Sequence, residues 1–476
     1  MRHGLAGGAT EVANTSGQKL VTLARAINNE DAWRTYCLKD RGHFPAGVTY
    51  LSQFMAHDLT HTASVKTAFH PSSGKRLNDR FVNLRTNQLM LDTLYGDGPD
   101  MDPLLFNGDQ FGIGKVGSKF NLEKLAHNNL NLVRTVPLFS LNVPSNPNYV
   151  RCHPQLGDMR NSDHPIIMRI ATMLMMYHNY QVGKAAGPND NQKYLEARIK
   201  TTLAWHKIIR KDIIENVCLV RGNSQFDKEL DRALDKQPDQ VETDFLHGLL
   251  RSFHSLTLPN YELAGGKKSI SSLLDIRATC PSAKISSYDY PYKENFELWQ
   301  NVWDIEIAKF FRRDAVVQTA FSPSYAFHFG NDPTDDNSLV LIRDQQTSAK
   351  LGVSEIGSPL FDHLIDDSDR LLSNVSKVLG IARHKLPRSD DVPLHLTFLA
   401  EAQTQVSDTG TLGKTGSVFF YRMIDRKIKE AQIYLEHHKD RQTIDAWYKN
   451  APEDFYALSR LVAPKEVPKH VQATIA

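Results

Sequence analysis

GDMRNSDHPIIMRIATMLMMYHNY, residues 157–180, is the stretch that decides the fold. From Pro165 onward it is almost wholly apolar, with no polar face for solvent. Such a helix belongs in the middle of a large core. Pro165 suits the first turn of that helix, and Asp163 stands where its N-cap is expected. The residues before it form a polar loop that carries Arg160.

Helical periodicity recurs on both sides of this stretch. In 50–59, Leu51, Phe54, Met55 and Leu59 share one face. Over 195–220, Leu203, Ile208, Ile209, Ile213, Ile214 and Val217 form one apolar side. Segments 244–256 and 398–402 read as helical, and 417–438 as an amphipathic helix with Lys and Arg on its polar face. Strand signals are few and short. Loops rich in Asn, Gly, Pro and Asp fall at 69–79, 96–117 and 326–338. Loops this long are uncommon unless they wrap a site or brace a core. The expected fold class is mainly α, one large helical domain with long loops and little β structure. It spans 40–440, with an extension at 1–39 packed on it and a tail at 441–476.

Composition narrows the function. Lys plus Arg number 56 and Asp plus Glu 54, so no strong charge marks a nucleic-acid or membrane-surface partner. No apolar run reaches the roughly 18 residues of a membrane span. Residues 1–18 lack the apolar centre of a secretory signal, so a cytoplasmic location is expected. Cys37, Cys152, Cys218 and Cys280 are widely spaced, form no zinc pattern, and are expected as reduced thiols.

With 19 histidines in the chain, company decides which of them matter, and three clusters stand out. Gln53 and His57 are four apart on the 50–59 helix, one turn from each other, and could hold a small polar molecule between them. Arg160 and Asp163 precede the apolar helix, where a surface ion pair and a helix cap are the plainer readings. Arg251 lies three residues before His254 in an apolar segment. A histidine there is either a hydrogen-bonded core residue or an axial ligand for haem iron.

The order of these segments carries a resemblance. SQFMAHDLT (52–60) is similar to GQxxDHDxT, and LDTLYGDGP (91–99) to a D-S/T-x-Y-G segment. GDMRNSDHP (157–165) resembles GDxRxxExP, and the helix after it ends in His178-Asn179. ARIKTTLAWHKIIRKDI (197–213) carries Trp205-His206, and LLRSFHSLTLPNYEL (249–263) is similar to YRFGHSMVRPxYxL. LTFLAEAQTQVSDTGTLGKTGSVFFYRMI (396–424) looks like a closing segment with an LGxxGxR turn. Together they resemble the animal-type haem peroxidases of the peroxidase–cyclooxygenase superfamily, in their bacterial branch.

The resemblance implies a haem b with His254 as proximal iron ligand and Asn374 as acceptor for its other nitrogen. It implies His57 as the base that moves the peroxide proton, Arg160 as the stabiliser of developing charge, and Gln53 as a positioning group. Arg251 would pair with a haem propionate. One haem ester could form through Asp163; the second cannot, because Ala56 replaces the carboxylate before the distal histidine. Asp58 matches a calcium ligand of the family, although 66–80 is poor in acidic residues for a partner loop. The implied partners are hydrogen peroxide and a small electron donor, phenolic-type or anionic. Phe253 stands where the peroxidases have Gly, and the fatty-acid oxygenase branch has an aromatic residue there. That branch is the alternative function, but its radical tyrosine would fall at Arg251; Tyr261 is the other tyrosine to consider. A haem carrier without turnover is the second alternative.

Overall fold

The stretch at 165–180 is buried as the helix Pro165–Val182, with every residue from Pro165 to Met175 inside. Its cap is His164, not Asp163: the His164 Nδ1 accepts the Ile167 N–H at 3.3 Å. The residue directly before Pro165 is the one placed to reach that amide, and an imidazole lone pair serves as well as a carboxylate. Asp163 instead ends the short turn Met159–Ser162. The computed structural model describes residues 8–39, 41–64, 76–78, 81–112, 114–115, 134–135, 138–143, 146–263, 266–273, 282–284, 307–329, 334–406 and 408–462.

The expected helices form, with altered geometry in two places. Segment 50–59 lies in Gly47–Leu59. A Cβ on Gly47 would come within 2.5 Å of the Phe310 carbonyl oxygen, so only glycine lets this helix start against its neighbour. The 195–220 helix starts earlier, as Asp190–Ile208 capped by Asn189, and widens into a π turn at Ile209–Ile214. Segment 244–256 is not an α-helix. It is a π turn, Asp244–Gly248, followed by a tight 3-10 helix, Leu249–Leu256. The change falls at Gly248, where an added Cβ would stand 3.0 Å from the Leu394 side chain. Helix Lys414–Leu435 begins where the buried Glu401 carboxylate accepts the Thr415 and Gly416 amides at 2.7 and 3.0 Å.

Further helices surround these. Gly8–Asn29 and Asp31–Leu38 send Leu23, Ile27, Trp33 and Cys37 into the main core, and Phe455–Val462 sends in Phe455 and Leu458. The described strands are short and antiparallel. The longest, Asn146–Pro154, pairs with Leu138–Val143 on one side and Ser282–Lys284 on the other, with Val150 opposite Asn142 and Ala283. No described helix is long and apolar enough to cross a membrane. Cys37 and Cys218 are free thiols, and Cys280 lies outside the described residues.

Candidate active site

Helix Gly47–Leu59 and the 3-10 helix Leu249–Leu256 face each other across a cavity of about 680 Å³. Gln53, Ala56, His57, Arg160 and Asp163 line one wall; Arg251, Phe253 and His254 line the other. Sequence reasoning thus selected residues that the fold brings together from three distant segments. Asn374 and Asp58 are not among the lining residues.

His57 is buried, and its Nδ1 lies 2.9 Å from Asn161 Oδ1. The Asn161 amide group is oriented by its other end, which donates to the carbonyl and hydroxyl of Thr93 at 3.1 and 2.9 Å. Asn161 therefore presents its oxygen to His57, so Nδ1 carries the proton and Nε2 keeps its lone pair. Burial, and after it the Arg160 charge, push the His57 pKa down to about 4 against the opposing Asn161 bond. His57 is a neutral base at neutral pH. Gln53 accepts from His164 Nε2 at 2.9 Å, which is the protonated nitrogen because Nδ1 serves the helix cap. The Gln53 amide nitrogen takes no part in that bond.

Asp158 organises the arginine. It is almost wholly buried and pairs with Arg85 at 2.5 Å and with Arg160 at 2.6 Å. Arg160 Nη2 also donates to the carbonyls of Thr60 at 2.5 Å and His57 at 3.2 Å, the C-terminal end of the helix that bears His57. Arg160 Nη1 is in none of these bonds. The loop is held close by Gly157, whose added Cβ would stand 2.4 Å from the Gly96 amide nitrogen.

The floor beneath Asn161 is a strained turn. Asn87, Leu89 and Leu91 all have positive φ, a conformation costly for side-chain-bearing residues. Each is clamped: Lys427 donates to the Asn87 carbonyl at 3.3 Å, His206 Nε2 to the Leu89 carbonyl at 2.9 Å. Asp58 accepts the amides of Leu91 and Thr93 at 3.0 and 3.2 Å. Both Asp58 oxygens thus accept backbone amides, the plainer of the two roles open to this residue. Among the described residues no cluster suited to a metal ion occurs, and most of 66–80 lies outside them.

On the opposite wall the acceptor for His254 is Asp344, not Asn374. His254 Nδ1 lies 2.7 Å from Asp344 Oδ2. Asn374 sits half-buried on helix Ile365–Leu379, away from the cavity. Arg251 Nη1 holds the other Asp344 oxygen at 2.9 Å, so its protein partner is this carboxylate. Burial pushes the Asp344 pKa up, but His254 and Arg251 outweigh it and hold it down at about 2. Phe253 packs edge-on to Phe321 at 4.9 Å as part of the core. Tyr261 is buried outside the cavity lining, its hydroxyl accepting the Leu258 amide at 2.9 Å.

Two solved structures share this arrangement of elements. Peroxidase A from Dictyostelium discoideum is 11% identical, with 94% of this chain and 89% of that one covered and a TM-score of 0.56. The fatty acid alpha-dioxygenase of Arabidopsis thaliana is also 11% identical, with 94% and 75% covered and a TM-score of 0.51. The fold is the mainly α-helical one that these two structures share. At this identity the likeness is one of fold. No protein-family model and no curated protein matches the sequence.

Two residues of this site were not singled out from sequence. Asn161 stood unremarked beside Arg160. Asp344 carried a signal: an acid on the apolar face of helix Val340–Leu351, between Ile342 and Ser348. His178 and His206, both in recognised segments, serve the framework. His178 accepts the Tyr95 hydroxyl and donates to the Asp109 carbonyl, each at 2.9 Å.

Proposed function

We propose that the cavity holds a haem b bound through Nε2 of His254 and that the protein is a peroxidase. The donor set fits. His254 uses Nδ1 for Asp344, which leaves Nε2 as its metal-binding atom. The cavity volume, about 680 Å³, is in the range of cofactor sites, and Leu250, Phe253, Ile270, Phe327 and Phe329 supply apolar lining. When bound, haem supplies the electron-transfer chemistry.

The observation that carries the peroxidase reading is the Nε2 lone pair of His57, facing away from its Asn161 bond. That atom takes the proton of hydrogen peroxide and returns it to the departing oxygen. Arg160, which lines the same cavity, offers charge where the O–O bond breaks. The Gln53 amide positions the incoming peroxide. Asp163 keeps an exposed carboxyl on the wall, available for one ester link, while Ala56 offers none. A haem with at most one such link favours organic, phenolic-type donors over chloride. Assignment to the bacterial branch rests on the motif order alone.

The fatty-acid oxygenase reading needs a tyrosine where Arg251 stands. Among the described residues, Tyr50 is the tyrosine that lines the cavity, and it sits on the His57 helix with its ring against His164 at 4.7 Å. The test is the visible spectrum of the haem-loaded protein beside His254→Ala, before and after peroxide. A Soret band lost or shifted in the variant, and converted by peroxide within seconds, is the expected result. A parent that takes up no haem, or a spectrum indifferent to substitution and peroxide, would sink the proposal.

A further inference from the structure

Asp344 is fully buried on a helix face otherwise made of Val340, Leu341, Ile342, Ser348 and Leu351. A carboxylate there is costly unless both oxygens meet strong donors, and an apolar residue would pack the face more cheaply. Both oxygens are met, one by Arg251 at 2.9 Å and one by His254 at 2.7 Å. The shorter distance lies in the charge-assisted range. Arg251 and His254 arrive together because residues three apart eclipse in a 3-10 helix. The unusual helix geometry at this point therefore serves to present two donors to one carboxylate.

We propose that Asp344 is a positioning residue that keeps the His254 proton on Nδ1 and makes Nε2 electron-rich, so that His254 acts as a strongly donating axial ligand. The proposal rests on the haem reading above. A neutral amide acceptor would fix the same tautomer without lending its charge; the carboxylate does both. Extra electron density from the axial side lowers the ferric–ferrous potential and favours O–O cleavage at the opposite face. That is the partner His57 and Arg160 require.

The test compares the parent with Asp344→Asn and Asp344→Glu after haem loading. Two readouts matter: the ferric–ferrous midpoint potential, and the iron–histidine stretching frequency of the ferrous protein by resonance Raman. Asp344→Asn is expected to raise the potential and lower the frequency, with Asp344→Glu restoring most of both. If Asp344→Asn does not fold, Asp344→Ala carries the test in its place, with shifts in the same directions. Unchanged potential and frequency in folded, haem-loaded Asp344→Asn or Asp344→Ala would overturn the proposal. If the parent binds no haem, the haem reading falls, and 15N-histidine NMR of the haem-free chain then decides. It is run near pH 9, where imidazole is neutral. A parent His254 protonated on Nδ1 and a mixed tautomer in Asp344→Ala, which has no acceptor, support the positioning role; identical spectra reject it.

Discussion

The Nδ1–H of His57 donates to Asn161 Oδ1 across 2.9 Å, and the same amide is locked from behind by two bonds to Thr93. Thr93 is in turn held through its backbone N–H by Asp58, the residue next to His57. His57 and its orienting group thus close a loop through a strained turn, so the tautomer is built into the framework. Replacing Asn161 by Ala removes the acceptor. The second-order rate of reaction with hydrogen peroxide should fall about 10- to 100-fold, the usual scale for losing such an orienting bond. Asn161→Asp should keep most of the rate. Stopped-flow absorption of the haem-loaded proteins measures both, and an unaltered rate in Asn161→Ala would remove Asn161 from the mechanism.

The proposed peroxide reaction has a predicted pH profile. His57 must be neutral to accept a proton, and burial with the Arg160 charge holds its pKa at about 4. The basic form therefore persists as pH falls through the ordinary histidine range near 6.5 and is lost only near 4. The rate should be flat from neutral pH to about 5 and decline below that. An acid limb centred near 6.5 would mean that His57 is not the base.

The buried Asp158 neutralises two guanidiniums, that of the largely buried Arg85 and that of Arg160, whose side chain is 31% exposed. Asp158→Asn leaves Arg85 and Arg160 facing each other without a counter-charge. The expected cost is about 3–5 kcal/mol of stability, the scale for breaking a buried pair. Thermal or denaturant unfolding followed by circular dichroism measures it. A loss under about 1 kcal/mol would mean that solvent already screens the pair.

Gly157→Ala tests the close approach of the Arg160 loop to the 91–98 turn. The new methyl would lie 2.4 Å from the Gly96 nitrogen and 2.9 Å from the Leu94 carbonyl, both backbone atoms. Forced overpacking of this kind costs about 1–3 kcal/mol. It should also slow the peroxide reaction by displacing Arg160, without changing the iron–histidine stretching frequency of the opposite wall. A variant as stable and as fast as the parent would show that the loop adapts freely.

Much of this protein was legible in its sequence because the signals are local. Apolar periodicity placed the inner helix at 165–180, since an all-apolar helix has no stable place outside a core. The spacing of Gln53 and His57, and of Arg251 and His254, put each pair on one helix face. The order of the motifs selected the residues that the fold gathers around one cavity. Tertiary contact decided the rest. His164 and not Asp163 caps the inner helix, because capping follows atom positions and not residue preference. Asp58 serves two amides of a strained turn that no local pattern announces. The partner of His254 lies 90 residues away on helix Val340–Leu351, and the partner of His57 lies 104 residues away. Hydrogen bonds are short-ranged and directional, so which distant carboxylate or amide meets an imidazole is settled only when helices pack. That choice, made at Asn161 and Asp344, sets the proton and charge of the two histidines on which the proposed chemistry depends.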